Sequence, residues 1–174
     1  MLLIYTGNGK GKTSACVGQA LRAFGQGLQV AFGQFMKRDV GAGEQVLLAR
    51  LLGPAFLAGG AGFFREEAER AAHRAAARNM LEWAFARLCD PLASGTEGRM
   101  LVLDEALYAF GSGLVSEEEA RALIAAARAA DAHLVLSGRG LPDWLEKEAD
   151  LVTEMLERKH PAAQGTKAQA GIEF

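Results

Sequence analysis

Cysteine is nearly absent from this 174-residue chain: Cys16 and Cys89 are the only two, too few for a disulfide scaffold or a Cys-rich zinc site. Both sit in apolar helical patterns and are expected as buried free thiols. Histidine is almost as sparse. His73, His133 and His160 are scattered without ligand spacing, which argues against a protein-held transition metal, and His73, among Ala, Arg and Glu, reads as a solvated helix-surface residue. Charge of one sign is not in excess either. Nineteen Lys and Arg against 21 Asp and Glu leave a formal charge of -2, which is not the footprint of a chain that holds nucleic acid by neutralising phosphates. A small anion at one local basic site stays open. Long apolar runs are missing as well: Leu51 to Phe64 carries no charge but is broken by Gly53, Pro54, Gly59, Gly60 and Gly62, short of the roughly 20 apolar residues a spanning helix needs. Met1 to Tyr5 has no preceding basic region and runs at once into Lys10 and Lys12, unlike a secretion signal. Cytoplasmic residence, with no membrane and no nucleic-acid partner, is the expectation.

What is present is enough apolar material for one core. Hydrophobic residues make up 50% of the chain and charged ones 23%, and the length suits one domain. Short strand-like runs alternate with helix-length segments, the pattern of a mostly parallel sheet with crossover helices. Leu2 to Tyr5, Val30 to Phe35, Met100 to Leu103 and His133 to Leu136 read as buried strands. Ala55 to Leu57 is a weaker third-strand candidate, and Leu151 to Leu156, with more polar alternation, reads as an edge strand. Helices are expected over Thr13 to Phe24, over Phe64 to Leu88, after the capping box Ser116 to Glu119, and briefly from Pro142. Composition alone makes the Ala-, Gln- and Gly-rich stretch from Pro161 to Gly171 a candidate for flexibility.

Chemistry concentrates at the strand ends. Thr6-Gly7-Asn8-Gly9-Lys10-Gly11-Lys12-Thr13 follows a strand and opens a helix, the context that turns a glycine-rich stretch into a phosphate-binding loop. Gly7, Gly9 and Gly11 allow successive N–H groups to face an anion, Lys12 can reach terminal phosphates, and the Thr13 hydroxyl can ligate Mg²⁺. The first glycine stands one place later than in the strict G-x-x-x-x-G-K-[ST] pattern, where this chain has Thr6. Strand Met100 to Leu103 ends in Asp104-Glu105, where a phosphate-loop protein needs carboxylates for the metal. Arg139, in the glycine-flanked loop after another strand, is either a solvated arginine or a phosphate clamp, while Arg22 by position alone is an exposed helical arginine.

These elements occur together with Gln34-Phe35-Met36-Lys37, Leu103-Asp104-Glu105, Ser137-Gly138-Arg139-Gly140 and Lys167-Ala168-Gln169-Ala170-Gly171-Ile172-Glu173-Phe174. In this order the chain resembles the phosphate-loop type of ATP:corrinoid (cob(I)alamin) adenosyltransferase over nearly its whole length. The resemblance implies a RecA-like P-loop α/β fold as one domain over 1–174, with an ordered segment from about 159 to 174 packing near the active site. It implies transfer of the 5′-deoxyadenosyl group of ATP to the Co(I) of a reduced cobalamin- or cobinamide-type corrinoid, with triphosphate leaving whole from ATP bound in the reverse sense along the loop. Carried over residue by residue, Gly7, Asn8, Gly9, Lys10, Gly11 and Lys12 cradle phosphates, joined by Lys37, Arg139 and Arg22. Thr13 and Glu105, with Asp104 as the alternative carboxylate, hold Mg²⁺ or Mn²⁺. The nucleophile is cobalt itself, so catalysis needs charge stabilisation and alignment rather than a base.

The resemblance also implies an apolar wedge that displaces the lower axial ligand of Co(II), carried by Gly62-Phe63-Phe64-Arg65. Phe63 fits it, whereas Arg65 stands where members commonly have tryptophan. A flavin-dependent reductase as electron donor and a homodimer belong to the same expectation. The chain starts at its first strand, without the extension longer members use to cover the site, so cover is expected from elsewhere, a second subunit included. The competing reading is a small P-loop ATPase or kinase. A GTPase would need Asn-Lys-x-Asp, and the only asparagines are Asn8 and Asn79. A nucleotide-gated binding module would leave the closing Lys167 to Phe174 segment unexplained.

Overall fold

The structure is a computed structural model that describes residues 1–38, 41–63 and 66–173. Along the chain run β1 (Leu2–Thr6), α1 (Lys12–Gly25), β2 (Gln29–Gln34), α2 (Gly43–Leu52), β3 (Phe56–Ala58), α3 (Arg70–Cys89), β4 (Arg99–Asp104), α4 (Ala106–Gly111), α5 (Glu117–Ala129), β5 (Ala132–Ser137), α6 (Asp143–Glu148) and β6 (Leu151–Glu154). The strands form one six-stranded sheet in the order β3-β2-β4-β5-β1-β6, and every pairing is parallel. This is the α/β architecture expected, with β6 at an edge.

Alternation along each strand sorts the core into two layers. Ile4, Leu101, Leu103, Leu134 and Leu136 face one side and pack with Leu81 of α3, Leu107 of α4, Leu123 of α5 and Leu145 of α6. Their neighbours Leu3, Val102 and Val135 face the other side, with Phe32 of β2, Cys16 and Ala20 of α1 and Leu48 of α2. Both faces of the central strands are therefore buried, which explains why these strands are continuous apolar runs. Parallel pairing aligns the carboxyl ends: Tyr5 stands beside Ser137, and Gln34 beside Asp104. The loops that leave those ends converge on one crevice, the usual ligand position in an open parallel sheet.

Several expectations need correction. The helix expected over Phe64 to Leu88 begins at Arg70, because Glu67–Glu69 form a 3₁₀ turn ahead of it; Phe64 and Arg65 lie outside the described residues. Two helices were not foreseen, α2 between the second strand and the weaker third-strand candidate and α4 directly after β4. His73 is only 6% exposed rather than solvated, while Cys89 is exposed and Cys16 alone is buried. The 161–171 stretch contains a 3₁₀ turn, Pro161–Gln164. No helix among the described residues is long and apolar enough to cross a membrane.

The capping box opening α5 is present, with Ser116 Oγ accepting from Glu119 N at 3.2 Å and Ser116 N donating to Glu119 Oε2 at 2.8 Å. Glu119 also takes a two-pronged contact from Arg74 of α3, at 2.6 and 2.8 Å, and this bond chiefly pulls its pKa down to about 2. A depressed carboxylate contributes stability above its unfolded pKa and loses it as pH falls through the folded one. Both partners are partly exposed, so Glu119→Gln, which keeps the cap, should cost about 1 kcal/mol or less at neutral pH. Chemical denaturation of both proteins should show that difference vanishing between about pH 4 and pH 2.

Candidate active site

The phosphate loop is held in place from beneath. Gly9 N donates to the Met155 carbonyl at 2.7 Å, just past the end of β6. A Cβ on Gly9 would stand 2.8 Å from both the Leu156 carbonyl carbon and the Met155 carbonyl oxygen, and one on Gly7 would stand 2.4 Å from that same oxygen. The glycines thus let the loop lie directly against another backbone, a demand independent of any phosphate. Gly7 (φ 97°) and Gly11 (φ 119°) also adopt the left-handed region that other residues avoid. Lys12, at the start of α1, folds back over the loop and donates to the carbonyls of Gly7 at 2.8 Å and Gly9 at 2.9 Å. Burial holds its ammonium below the ordinary pKa, an effect that Glu105 opposes and Arg139 reinforces.

Below the loop lies Asp104, 0% exposed. It accepts from Thr13 Oγ1 at 3.0 and 3.1 Å, from Ser137 Oγ at 2.7 Å and from Gln34 Nε2 at 3.3 Å. Lys37 stands 3.5 Å away and pairs more closely with Glu44, at 2.7 Å. Burial works against the Lys37 ammonium, but Asp104 and Glu44 outweigh it and lift its pKa. Glu44 in turn is held below the usual carboxylate range, its Lys37 bond outweighing burial. Asp104 also bears on Cys16, whose thiol is pushed far up by burial first and by this carboxylate second.

Glu105 is a different kind of acid. Its backbone takes the left-handed conformation (φ 60°), rare for a non-glycine residue and a recurrent sign of functional strain. Ser137 Oγ accepts from its N–H at 3.1 Å, and the side chain lines the open cavity. Burial, then the Asp104 charge, raises its pKa, offset in part by Lys12, Lys37 and Arg139.

These groups surround a cavity of about 790 Å³, within the range of small-molecule sites. Part of the lining is cationic: Lys10, Lys12, Lys37 and Arg139, the last also donating to the Asn8 carbonyl at 3.2 Å. The lining also offers Phe63 and Tyr108, packed edge to face with centroids 4.9 Å apart, together with Ile172. Most residues expected from sequence are therefore brought together. Asp104 and Gly7 lie behind the wall rather than on it, and Arg22 is not brought in: it sits exposed in the last turn of α1. Glu44, Tyr108, Glu157 and His160 line the cavity without having been anticipated. None of these four carries a local motif that marks it.

Strand, glycine cradle, Lys-Thr at the helix start and a carboxylate pair at the neighbouring strand end define a phosphate-loop nucleotide-binding protein. Comparison with known proteins narrows the class. The sequence profile described as ATP:corrinoid adenosyltransferase BtuR/CobO/CobP matches residues 1–174, and the chain belongs to that family of transferases acting on ATP and a corrinoid. It is 36% identical over 175 residues to a corrinoid adenosyltransferase of Pseudomonas aeruginosa, covering all of this chain and 83% of that protein. Identity is 36% over 176 residues to corrinoid adenosyltransferase CobA of Salmonella typhimurium, with 85% of that protein covered. The corrinoid adenosyltransferase of Escherichia coli K12 is 34% identical over 175 residues, at 85% coverage.

The close approach beneath the loop makes Gly9 a test of the cradle. Gly9→Ala should weaken ATP binding by roughly tenfold or more in a calorimetric titration, since sub-ångström loop displacements are costly at such sites. Gly18→Ala on α1, where an added Cβ meets nothing within 4 Å, should leave affinity intact and raise the melting temperature slightly.

Proposed function

We propose that this cavity aligns the C5′ carbon of ATP with the cobalt of a reduced corrinoid, the triphosphate lying in the glycine cradle. The observation that carries the reading is that a polycationic cradle and an exposed aromatic shelf share one cavity. Co(I) supplies its electron pair to C5′, the cobalt–carbon bond forms, the C5′–O5′ bond breaks, and triphosphate departs intact with the displaced electrons. Lys12, Lys37 and Arg139 stabilise the charge that accumulates on it, and Lys10, Asn8 and the loop N–H groups fix its position. No side chain needs to take a proton.

Hard oxygen donors fit a divalent ion here. Thr13 offers a hydroxyl and Glu105 a carboxylate facing the cavity, whose charged form is disfavoured first by burial and then by Asp104. Among the described residues no cluster of three or more His, Cys, Asp or Glu forms a metal site, so the remaining ligands would come from phosphate and water, as is usual for Mg²⁺. Thr13 and Glu105 would hold Mg²⁺ or Mn²⁺, with Asp104 orienting Thr13 from behind; the ion, when bound, offsets triphosphate charge. Arg22, exposed on α1 outside the cavity lining, is assigned to the phosphates on family likeness alone. Family likeness supports a flavin-dependent reductase as electron source, a homodimer and a cytoplasmic setting. The segment from about 159 to 174 belongs to the same unit in this reading, since Gly171, Ile172 and Glu173 line the cavity.

Product analysis is the direct test. ATP and chemically reduced cobalamin should give an adenosylated corrinoid and triphosphate in equal amounts by ion chromatography; ADP and phosphate without a cobalt–carbon product would replace this reading with an ATPase.

Phe63 is 55% exposed, too exposed for a core residue, which suits a wedge against the lower face of the corrinoid. Phe63→Ala should cut adenosylation from Co(II)alamin steeply, by roughly tenfold or more if displacement of the axial ligand controls reduction. From preformed Co(I), which has no lower ligand to displace, the loss should be slight. Equal losses in both assays would remove the wedge role.

A further inference from the structure

Among the described residues, the segment 161–173 is hydrogen-bonded to the rest of the chain, residue 160 aside, through a single charged side chain. Lys10 Nζ donates to the Ile172 carbonyl and, at 3.1 Å, to Glu173 Oε1. Among the described residues every other hydrogen bond of 161–173 stays within 160–173. The turn that presents this carboxylate is internally braced. Ile172 N and Glu173 N donate to the Gln169 carbonyl at 3.1 and 2.9 Å, and Gln169 N donates to Glu173 Oε2 at 2.7 Å. Gly171, at φ 76°, makes the bend. Glu173 is thus aimed at Lys10 by its own backbone, and both residues line the cavity.

Lys10 belongs to the loop that cradles phosphates, between Gly9 and Gly11. An ammonium has three donors, and two are engaged by Ile172 and Glu173. A triphosphate in the cradle calls on the same ammonium, while the Glu173 carboxylate repels it at short range. The other cations, Lys12, Lys37 and Arg139, pull the opposite way. After transfer, the leaving group has lost its adenosyl contacts and is held by charge alone, so a competing carboxylate removes a larger share of what holds the product than of what holds ATP.

We infer that Glu173 is a positioning residue that competes with the triphosphate for Lys10 and so speeds release of the product. The inference rests on the proposed reaction, in which triphosphate leaves whole. It assigns the closing turn a part in turnover distinct from walling the cavity.

The test titrates inorganic triphosphate, at constant magnesium and low ionic strength, into the full chain and into Glu173→Gln, Glu173→Asp, Lys10→Met and the Lys10→Met/Glu173→Gln double variant. Glu173→Gln should bind triphosphate about two- to fivefold more tightly, the scale of a partly exposed ion pair, and Glu173→Asp should restore the original affinity. The gain should shrink in 0.5 M salt, which screens exposed charges, and should be clearly reduced in the Lys10→Met background. In the adenosylation assay Glu173→Gln should show stronger inhibition by added triphosphate and a lower kcat with a lower KM for ATP, a split that loss of structure would not produce. Unchanged or weakened triphosphate affinity in Glu173→Gln would overturn the inference, as would a tightening undiminished by Lys10→Met. The titration needs no corrinoid, so its failure leaves the proposed reaction standing. ADP appearing as product in turnover would instead remove that reaction without altering the measured competition.

Discussion

The phosphate loop and its surroundings depend on satisfying one carboxyl group where water does not reach. An isolated buried carboxylate would cost several kcal/mol, and Asp104 is fully enclosed. Its neighbours offset that cost from four directions: Thr13 from α1, Gln34 from β2, Ser137 from β5, and Lys37 beyond β2. The same bonds tie those elements together at the crevice, so solvation of one charge and alignment of the loops are a single problem. Gln34 extends the network outward, since Gln45 Nε2 donates to its Oε1 at 2.9 Å and Gln45 Oε1 accepts from the N–H groups of Gly41 and Ala42 at 3.0 and 3.2 Å. The Gly41-Ala42 end of the loop after β2 is thereby linked to Asp104 through two glutamines.

Adjacent in sequence, Asp104 and Glu105 end in opposite surroundings. The left-handed turn at Glu105 sends one side chain inward and the next toward the cavity, and Ser137 serves both, donating to the first and accepting from the backbone of the second. One residue is enclosed and the next lines the cavity, with the left-handed backbone of Glu105 between strand and helix.

The central strands were legible because burial on both faces leaves an uninterrupted apolar signature, and the loop because its glycines sit between a strand and a helix. α2 was not legible. Of its apolar residues only Leu48 is buried, while Val46 and Leu47 lie exposed, so its stripe is too narrow to stand out, and its anchor Gln45 is polar. α4 has six residues and buries Ala106, Leu107 and Ala109, which leaves no period to detect. His73 and Cys89 were misplaced for one reason: the rotation of α3 about its axis is decided by Met80, Leu81, Ala84 and Leu88 packing on the sheet, and the Ala-rich first half carries little information about which face that is. The cationic residues expected from the motifs share one cavity lining, whereas Arg22 lies in the last turn of α1 outside that lining.

Strand order has a consequence for how the chain acquires its shape. β1 is made first, yet its two neighbours in the sheet are β5 and β6, residues 132–137 and 151–154. The glycine cradle rests on Met155 and the backbone after it. Loop-closure entropy over more than a hundred residues must be overcome before β1 gains either partner. A ribosome-bound chain can pair β2, β3 and β4 early, while its opening strand stays without a sheet and its nucleotide loop without a floor until synthesis is nearly done. Ligand affinity in such a chain is therefore a late-arriving property, and a truncation between residues 149 and 154 would release a product with most of its core but no competent cradle.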